Sequence, residues 1–182
     1  MVAISRSRVK IYIVDAGTAA STLTATDVIE GEIKSYNKSG GDKEVESDPV
    51  FGGYVDKEKP TEQVEVALEV IPKVNEDQNR WDTMAYAADV ANSGVYTMAS
   101  ATSTQPNDKA IYIEATDGTN YKSWGFNNTS VTVFDLEHNA DDNQVGNITF
   151  KFSPENDSGV SNFMTAASQV TSLPAWSALD NN

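Results

Sequence analysis

In the segment EQVEVALEVI at residues 62–71, every second residue from Val64 to Val70 is a large apolar one, and the residues between them are mostly polar. Successive side chains of a β-strand point to opposite faces, so this alternation predicts a strand with one buried face and one solvated face. The buried face carries Val64, Val66, Leu68 and Val70. Glu65 and Glu69 share the opposite face. The chain must therefore build a sheet that buries one face and leaves a mostly acidic face to solvent.

A polar, glycine-rich stretch at residues 37–61 leads into this strand. It is too long for a tight turn, and loops of this length are usually functional or disordered. Phe51 and Tyr54, beside a pair of glycines, supply aromatic anchors that a disordered tail does not need. Three acidic residues alternate along the stretch: Glu44, Glu46 and Asp48. We expect a long extended hairpin arm that docks on another molecule and is partly disordered in the free monomer.

Further alternating patterns predict strands at residues 8–14, 28–36, 110–116, 119–126, 130–137 and 148–152. Asp117-Gly118 predicts a type I′ turn between the two middle strands of this series. Residues 76–91 predict the one α-helix, with an apolar stripe at helical spacing formed by Trp81, Met84, Ala85 and Ala88. About seven strands and one helix predict a mainly β protein, a β-sandwich or flattened barrel with one flanking α-helix.

The length of 182 residues suits one domain. We expect this β domain to span residues 1–154, followed by a polar C-terminal tail at residues 155–182. A short helix is possible in the tail, because Phe163, Ala167 and Val170 would share one helical face.

The 27 acidic residues outnumber the 13 basic residues and give a net charge of −14. Specific nucleic-acid binding relies on Lys and Arg to neutralise phosphates, so this balance argues against it. Cysteine is absent, which excludes disulfides and thiolate metal sites. The N-terminal segment contains no apolar run long enough for a signal peptide or a membrane span. We therefore expect cytoplasmic synthesis and no membrane association.

Basic residues cluster at the N-terminus, where Arg6, Arg8 and Lys10 share one face of the first predicted strand. This basic face could meet the acidic residues of the arm in another subunit. Complementary charges of this kind fix the register between subunits more than they add affinity. The alternative is that these are separate solvated faces with no common partner.

The sequence contains no recognisable catalytic triad. The one histidine, His138, follows a predicted strand, and no G-x-S-x-G motif supplies a nucleophile for it to activate. Asp141, Asp142 and Asn143 match half of a calcium-binding loop, but Val145 stands where a further ligand is needed. We expect no enzyme activity, cofactor or metal centre, although a weak cation site near Asp141 stays open.

The order of these features resembles the major tail tube proteins of long-tailed viruses of the siphophage kind. An N-terminal strand at residues 9–14 precedes a second strand that runs into the long arm. The arm ends in GGYVD at residues 52–56 and KP at residues 59–60, directly before the alternating strand. A helix with Trp81 and β-hairpins follow, and the resemblance covers roughly residues 5–153.

The resemblance implies a β-sandwich or barrel whose copies form rings, usually hexameric, that stack into a tube. Such a tube conducts DNA into the host without binding it specifically, and other tail proteins meet the tube ends. The virion tail would then be the location of the protein. The arm, with Phe51 and Tyr54, would bridge neighbouring subunits, and Glu65 and Glu69 would be candidates for the channel face. Two alternatives stay open: another tail component such as a tail terminator, or a β-sandwich adhesin domain.

Overall fold

The computed structural model describes residues 8–25, 27–41, 45–50, 53–58, 63–72, 87–88, 96–97, 109–137, 144–155 and 159–179. These residues are mainly β-structure. The larger strands are β1 (Arg8–Asp15), β2 (Val28–Ser39), β5 (Val64–Pro72), β8 (Lys109–Thr116), β9 (Tyr121–Glu137), β10 (Val145–Phe152) and β11 (Phe163–Ala166). Two short hairpins are formed by β3 (Val45–Val50) with β4 (Gly53–Glu58), and by β6 (Ala87–Ala88) with β7 (Tyr96–Thr97).

Six of the strands close into an antiparallel barrel in the order β1-β2-β5-β10-β9-β8. Closure depends on β9, which is long enough to pair with β8 through its first half and with β10 from Ser130 onward. The seventh strand, β11, lies outside the barrel and pairs with the first half of β9. The predicted mainly β architecture is therefore confirmed, and its form is a closed barrel with one outer strand.

The interior of the barrel is filled by alternate side chains of every barrel strand. On β5 the pattern predicted from sequence is observed, since Val64, Val66, Leu68 and Val70 are buried and the residues between them are half-exposed. They pack with branched aliphatic side chains of β1, β2 and β8. Phe126 makes edge contacts with Phe150 and Phe152 at centroid distances of 5.0 and 5.3 Å. Aromatic rings therefore fill the part of the core between β9 and β10.

The bend in β9 is held by polar residues. Asn128 takes a positive φ of 51°, which asparagine tolerates better than most residues. Its neighbour Asn127 accepts a hydrogen bond from the backbone N–H of Gly17 at 2.8 Å. The Thr129 hydroxyl donates to the carbonyl of Lys109 at 3.0 Å. These contacts let one strand leave the sheet with β8 and enter the sheet with β10.

A second hydrophobic core lies outside the barrel, on the outer face of β1 and β8. Residues 159–179 cross this face and bury Met164, Val170, Leu173 and Trp176 against Tyr12 and Tyr112. The short helix predicted around Phe163 is wrong, because Phe163–Ala166 is strand β11 and Val170–Ser172 is a 3-10 turn. Pairing with the edge of β9 overrides the helical spacing of these residues.

The predicted flanking helix lies mostly outside the described residues. Ala87 and Ala88, which the helix prediction included, instead form β6 and pair with Thr97 and Tyr96. The prediction is therefore wrong for these two residues.

The turn between β8 and β9 also differs from the prediction. It spans four residues, since Thr116 pairs with Tyr121, and a two-residue type I′ turn is excluded. The Asp117 carboxylate accepts hydrogen bonds from the backbone N–H groups of Thr119 and Asn120, at 2.8 and 2.7 Å. A side chain that satisfies two backbone donors stabilises the longer turn.

Candidate assembly surfaces

One outer face of the barrel is hydrophilic and uncovered within the described part of the chain. It is formed by the outward residues of β2, β5, β10 and the second half of β9, and we call it the hydrophilic wall. Its surface residues include Ser35, Asn37, Ala67, Glu69, Val133, Asp135, Glu137, Asn147 and Thr149. Hydroxyl and amide side chains of this kind offer hydrogen bonds without a strong charge.

Each glutamate predicted for the acidic face is paired with a lysine of a neighbouring strand. Glu65 Oε2 lies 3.2 Å from Lys151 Nζ, and Glu69 Oε2 lies 3.9 Å from Lys34 Nζ. All four side chains are about half-exposed, so these ion pairs add little to stability. Asp135 and Glu137 are exposed on β9 and leave the wall with a modest excess of negative charge. The wall is therefore polar and weakly acidic, not a dense acidic surface.

Two β-bulges determine which side chains of β2 and β9 face this wall. Between β2 and β5 the register shifts by one residue at Lys34, so Ile33 faces the core while Ser35 lies on the wall. Between β9 and β10 the extra residue is Thr132, and Val133 consequently faces outward with 38% of its surface exposed. Bulges are difficult to locate from sequence, because the alternation on each side of them looks continuous.

The opposite face of the barrel is covered by residues 159–179, which polar contacts also hold in place. The buried Glu114 carboxylate accepts the backbone N–H of Val170 at 2.8 Å, and its other oxygen lies 3.8 Å from Lys10 Nζ. Ser123 donates to the carbonyl of Ser168 at 2.6 Å, and Thr165 donates to the carbonyl of Ser123 at 3.0 Å. These buried polar groups link the barrel strands to the C-terminal segment, and they therefore fix the segment in one position.

The basic face predicted on the first strand is mixed in charge. Arg8 is exposed at the start of β1, but Lys10 faces Glu114, and Glu30 lines the same groove. Arg6 lies outside the described residues. The groove therefore combines both signs of charge, an arrangement that sequence alone does not reveal because Glu30 and Glu114 come from other strands.

The arm contains a two-stranded hairpin. In β3 and β4, Glu46 pairs with Lys57, Asp48 with Val55, and Pro49 with Tyr54. Glu44 and Phe51 lie outside the described residues. Residues 37–39, which were predicted to open the arm, belong to barrel strand β2 and pair with β5.

The arm leaves the barrel through two consecutive glycines. Gly40 and Gly41 have φ values of +79° and +80°, a region that L-residues with side chains rarely adopt. A Cβ atom on Gly40 would lie 2.5 Å from the carbonyl oxygen of Gln63. Glycine is therefore required here by the backbone conformation and by the close approach of the end of β2 to the start of β5.

The second half of β2, the start of β9 and β11 together form an aromatic rim, which comprises Tyr36, Lys38, Lys122, Trp124 and Phe163. The rings of Tyr36 and Trp124 stack at 5.7 Å, and partial burial raises the pKa of Tyr36 above its ordinary value. Lys122 Nζ lies 5.9 Å from the Trp124 ring, and Lys38 Nζ lies 5.3 Å from the Phe163 ring. Sequence reasoning missed this site, because three separate strands contribute to it.

No catalytic or metal-binding site is evident in the described residues. His138 and Asp141–Asn143 lie outside them, so the structure does not test either candidate. Within the described part, no group of three or more His, Cys, Asp or Glu residues is placed to hold a metal ion. Tyr112 has a pKa raised to about 12 by burial, and its hydroxyl donates to the carbonyl of Thr18, which is a structural contact. The described helices include none that is long and apolar enough to cross a membrane.

Comparison with known proteins gives similarity at the level of structure alone. No protein-family model and no curated protein matches the chain. A chain of the sheath–tube complex of an extracellular contractile injection system, PVC, in the extended state is 16% identical with a TM-score of 0.45, covering 88% of this chain and 89% of that one. A chain of the anti-feeding prophage tube-terminating cap is 15% identical with a TM-score of 0.45, covering 92% and 93%. The Hcp1 protein from E. coli EAEC 042 is 9% identical with a TM-score of 0.34, covering 88% and 98%. Identities and TM-scores this low do not assign a function to this chain.

Proposed function

We propose that this protein is a structural subunit that assembles with copies of itself into stacked rings forming a tube. The observation that carries the proposal is the contrast between the two outer faces of the barrel. One face is covered by the chain's own C-terminal residues, whereas the hydrophilic wall bears serine, asparagine, threonine and paired Glu–Lys side chains. A wall of this composition suits a channel through which a charged polymer slides without being held.

The arm suits assembly, since a two-stranded hairpin separate from the barrel sheet has strand edges to offer a neighbour. Head-to-tail contacts between identical subunits generate closed rings or open filaments. The aromatic anchors Phe51 and Tyr54 are the residues we assign to the contact with the neighbour, since buried aromatic side chains commonly dominate interface energy.

The finer features of the proposal come from the resemblance of the sequence to siphophage tail tube proteins. From that resemblance we propose that the rings are hexameric and that the protein is located in the virion tail. Other tail proteins would contact the ends of the tube, and DNA would pass through it during genome ejection. The weakly acidic wall supports the last of these, because a surface with few unpaired cations does not grip phosphates.

Negative-stain microscopy of the purified protein tests the proposal. We expect long hollow filaments, and the double variant Phe51→Ala/Tyr54→Ala should stay monomeric while keeping its folded circular dichroism spectrum. Single rings that never elongate would indicate a tail terminator instead. A protein that stays monomeric at all concentrations and binds glycans would indicate an adhesin and would refute the tube.

A further inference from the structure

The aromatic rim combines an exposed ring with two cations. Tyr36 keeps 36% of its surface exposed although it stacks on Trp124 with an interplanar angle of 24°. Lys38 and Lys122 each lie within about 6 Å of a ring centroid, the distance at which cation–π attraction is significant. Both ammonium groups therefore lie against aromatic rings at the edge of the barrel.

These two lysines differ from the other lysines whose side chains the structure describes. Lys10, Lys34, Lys109 and Lys151 each lie within 4 Å of a carboxylate. Lys38 and Lys122 contact rings instead and have no carboxylate partner among the described residues. In a chain with a net charge of −14, a patch with an exposed aromatic ring and two cations that no described carboxylate compensates is a natural place for an acidic segment to bind.

The arm supplies a segment of that kind. Glu46 and Asp48 are two residues apart on β3, so they lie on one face of the strand, roughly 7 Å apart along it. Their pairing partners on β4 are Lys57 and Val55. β3 therefore supplies two carboxylates for the two lysines of the rim.

We propose that the aromatic rim binds the acidic face of β3 from a second copy of this chain, with Lys38 and Lys122 facing Glu46 and Asp48 and Tyr36 packing on the strand. The contact is heterologous, since rim and arm are different surfaces, so it propagates from subunit to subunit. The inference rests on the proposed function, because it names the surface on the neighbour that receives the arm.

Cysteine cross-linking tests the contact directly, because the chain contains no cysteine of its own. The variants Lys38→Cys and Asp48→Cys are mixed at equal concentration and oxidised. We expect a disulfide-linked dimer that is at least about tenfold more abundant than in the control mixture of Lys151→Cys with Asp48→Cys, as a contact worth about 1.4 kcal/mol predicts. Lys151 is the matched control, because it lies at the same level of the sheet as Lys38 but on the opposite side, on the hydrophilic wall.

Charge reversal gives a second readout. The variants Lys38→Glu/Lys122→Glu and Glu46→Lys/Asp48→Lys should each raise the protein concentration needed for assembly by about tenfold or more, because like charges then meet at the contact. An equal mixture of the two should assemble at the concentration of the unmodified protein, since every rim then meets an arm of opposite charge. The two variants must then alternate around each ring, which is possible only if the ring has an even number of subunits.

The outcomes separate this inference from the proposed function. Suppose that the unmodified protein forms filaments but the mixed cysteine variants form no disulfide between copies. That result would overturn the rim contact and leave the tube intact. A disulfide between copies without filaments would support the contact and overturn the tube. If the double variant Lys38→Cys/Asp48→Cys forms the disulfide within one chain at high dilution, the rim receives its own arm, and the inference is wrong.

Discussion

The outer face formed by β1 and β8 and the hydrophilic wall belong to the same closed barrel, but they are used differently. The first face carries Tyr12, Ala110 and Tyr112 and is covered by residues 159–179, so it forms a second core. The wall carries half-exposed polar side chains that pair across strands. The difference shows that one face of the barrel stabilises the fold, while the other is not covered by any described part of the chain and is the face that we assign to a passing polymer.

Truncation of Trp176 is the strongest test of the covered face. Trp176 is 6% exposed and its ring lies 5.9 Å from that of Tyr112. Trp176→Ala should lower the free energy of unfolding by about 3 kcal/mol or more, because it leaves a large cavity in the second core. Urea unfolding measures the loss. The matched variant on the wall, Val133→Ala, should change stability by less than about 0.5 kcal/mol. Equal losses in the two variants would contradict the contrast between the faces.

Removal of the Glu114 carboxylate should have the next largest effect. Glu114→Ala leaves the buried backbone N–H of Val170 without its acceptor, which costs about 1–3 kcal/mol. Hydrogen exchange should show faster exchange at Val170 and its neighbours than in the unmodified protein. Glu114→Gln keeps an acceptor oxygen and is the control. If Glu114→Ala exchanges no faster than Glu114→Gln, the hydrogen bond does not hold the C-terminal segment in place.

Charge reversal on the wall tests its proposed use. Glu65→Lys/Glu69→Lys should cost less than about 1 kcal/mol of stability, since the ion pairs of both glutamates are exposed. Assembly should survive, but DNA passage should slow, more so at low salt, because phosphate contacts strengthen as counterions are diluted. Glu65→Gln/Glu69→Gln controls for loss of charge alone. DNA ejection at the normal rate at every salt concentration would place this face outside the channel.

The smallest effect is expected at the turn between β8 and β9. Hydrogen bonds from the backbone and side chain of Asn120, and then from the backbone of Thr119, lower the pKa of Asp117 to about 2 from 3.8. A carboxylate with a lowered pKa stabilises the fold above its unfolded pKa, and this contribution is lost as the pH falls from about 4 to about 2. The stability difference between the unmodified protein and Asp117→Asn should therefore be constant above pH 4 and shrink below it. A difference that does not change with pH would mean that the charge of Asp117 has no part in the turn.

The local alternation of apolar and polar residues was sufficient to predict many of the barrel strands. The alternation in β5 identifies its buried residues, because strand geometry places every second side chain on one face regardless of the partner strand. The patterns in β1, β8 and β10 likewise identify strands within a few residues of their observed bounds. The mainly β class follows from these elements together.

Tertiary structure alone decided which faces are covered and which charges meet. The sequence by itself places Glu65, Glu69 and Lys10 on solvated faces, but their partners Lys151, Lys34 and Glu114 come from neighbouring strands. The C-terminal segment looks like a polar tail, because its buried residues are spaced irregularly and find their partners only on the outer face of β1 and β8. Periodicity records the geometry of one element, whereas pairing order, bulges and cross-strand contacts depend on the energy of the whole packed chain.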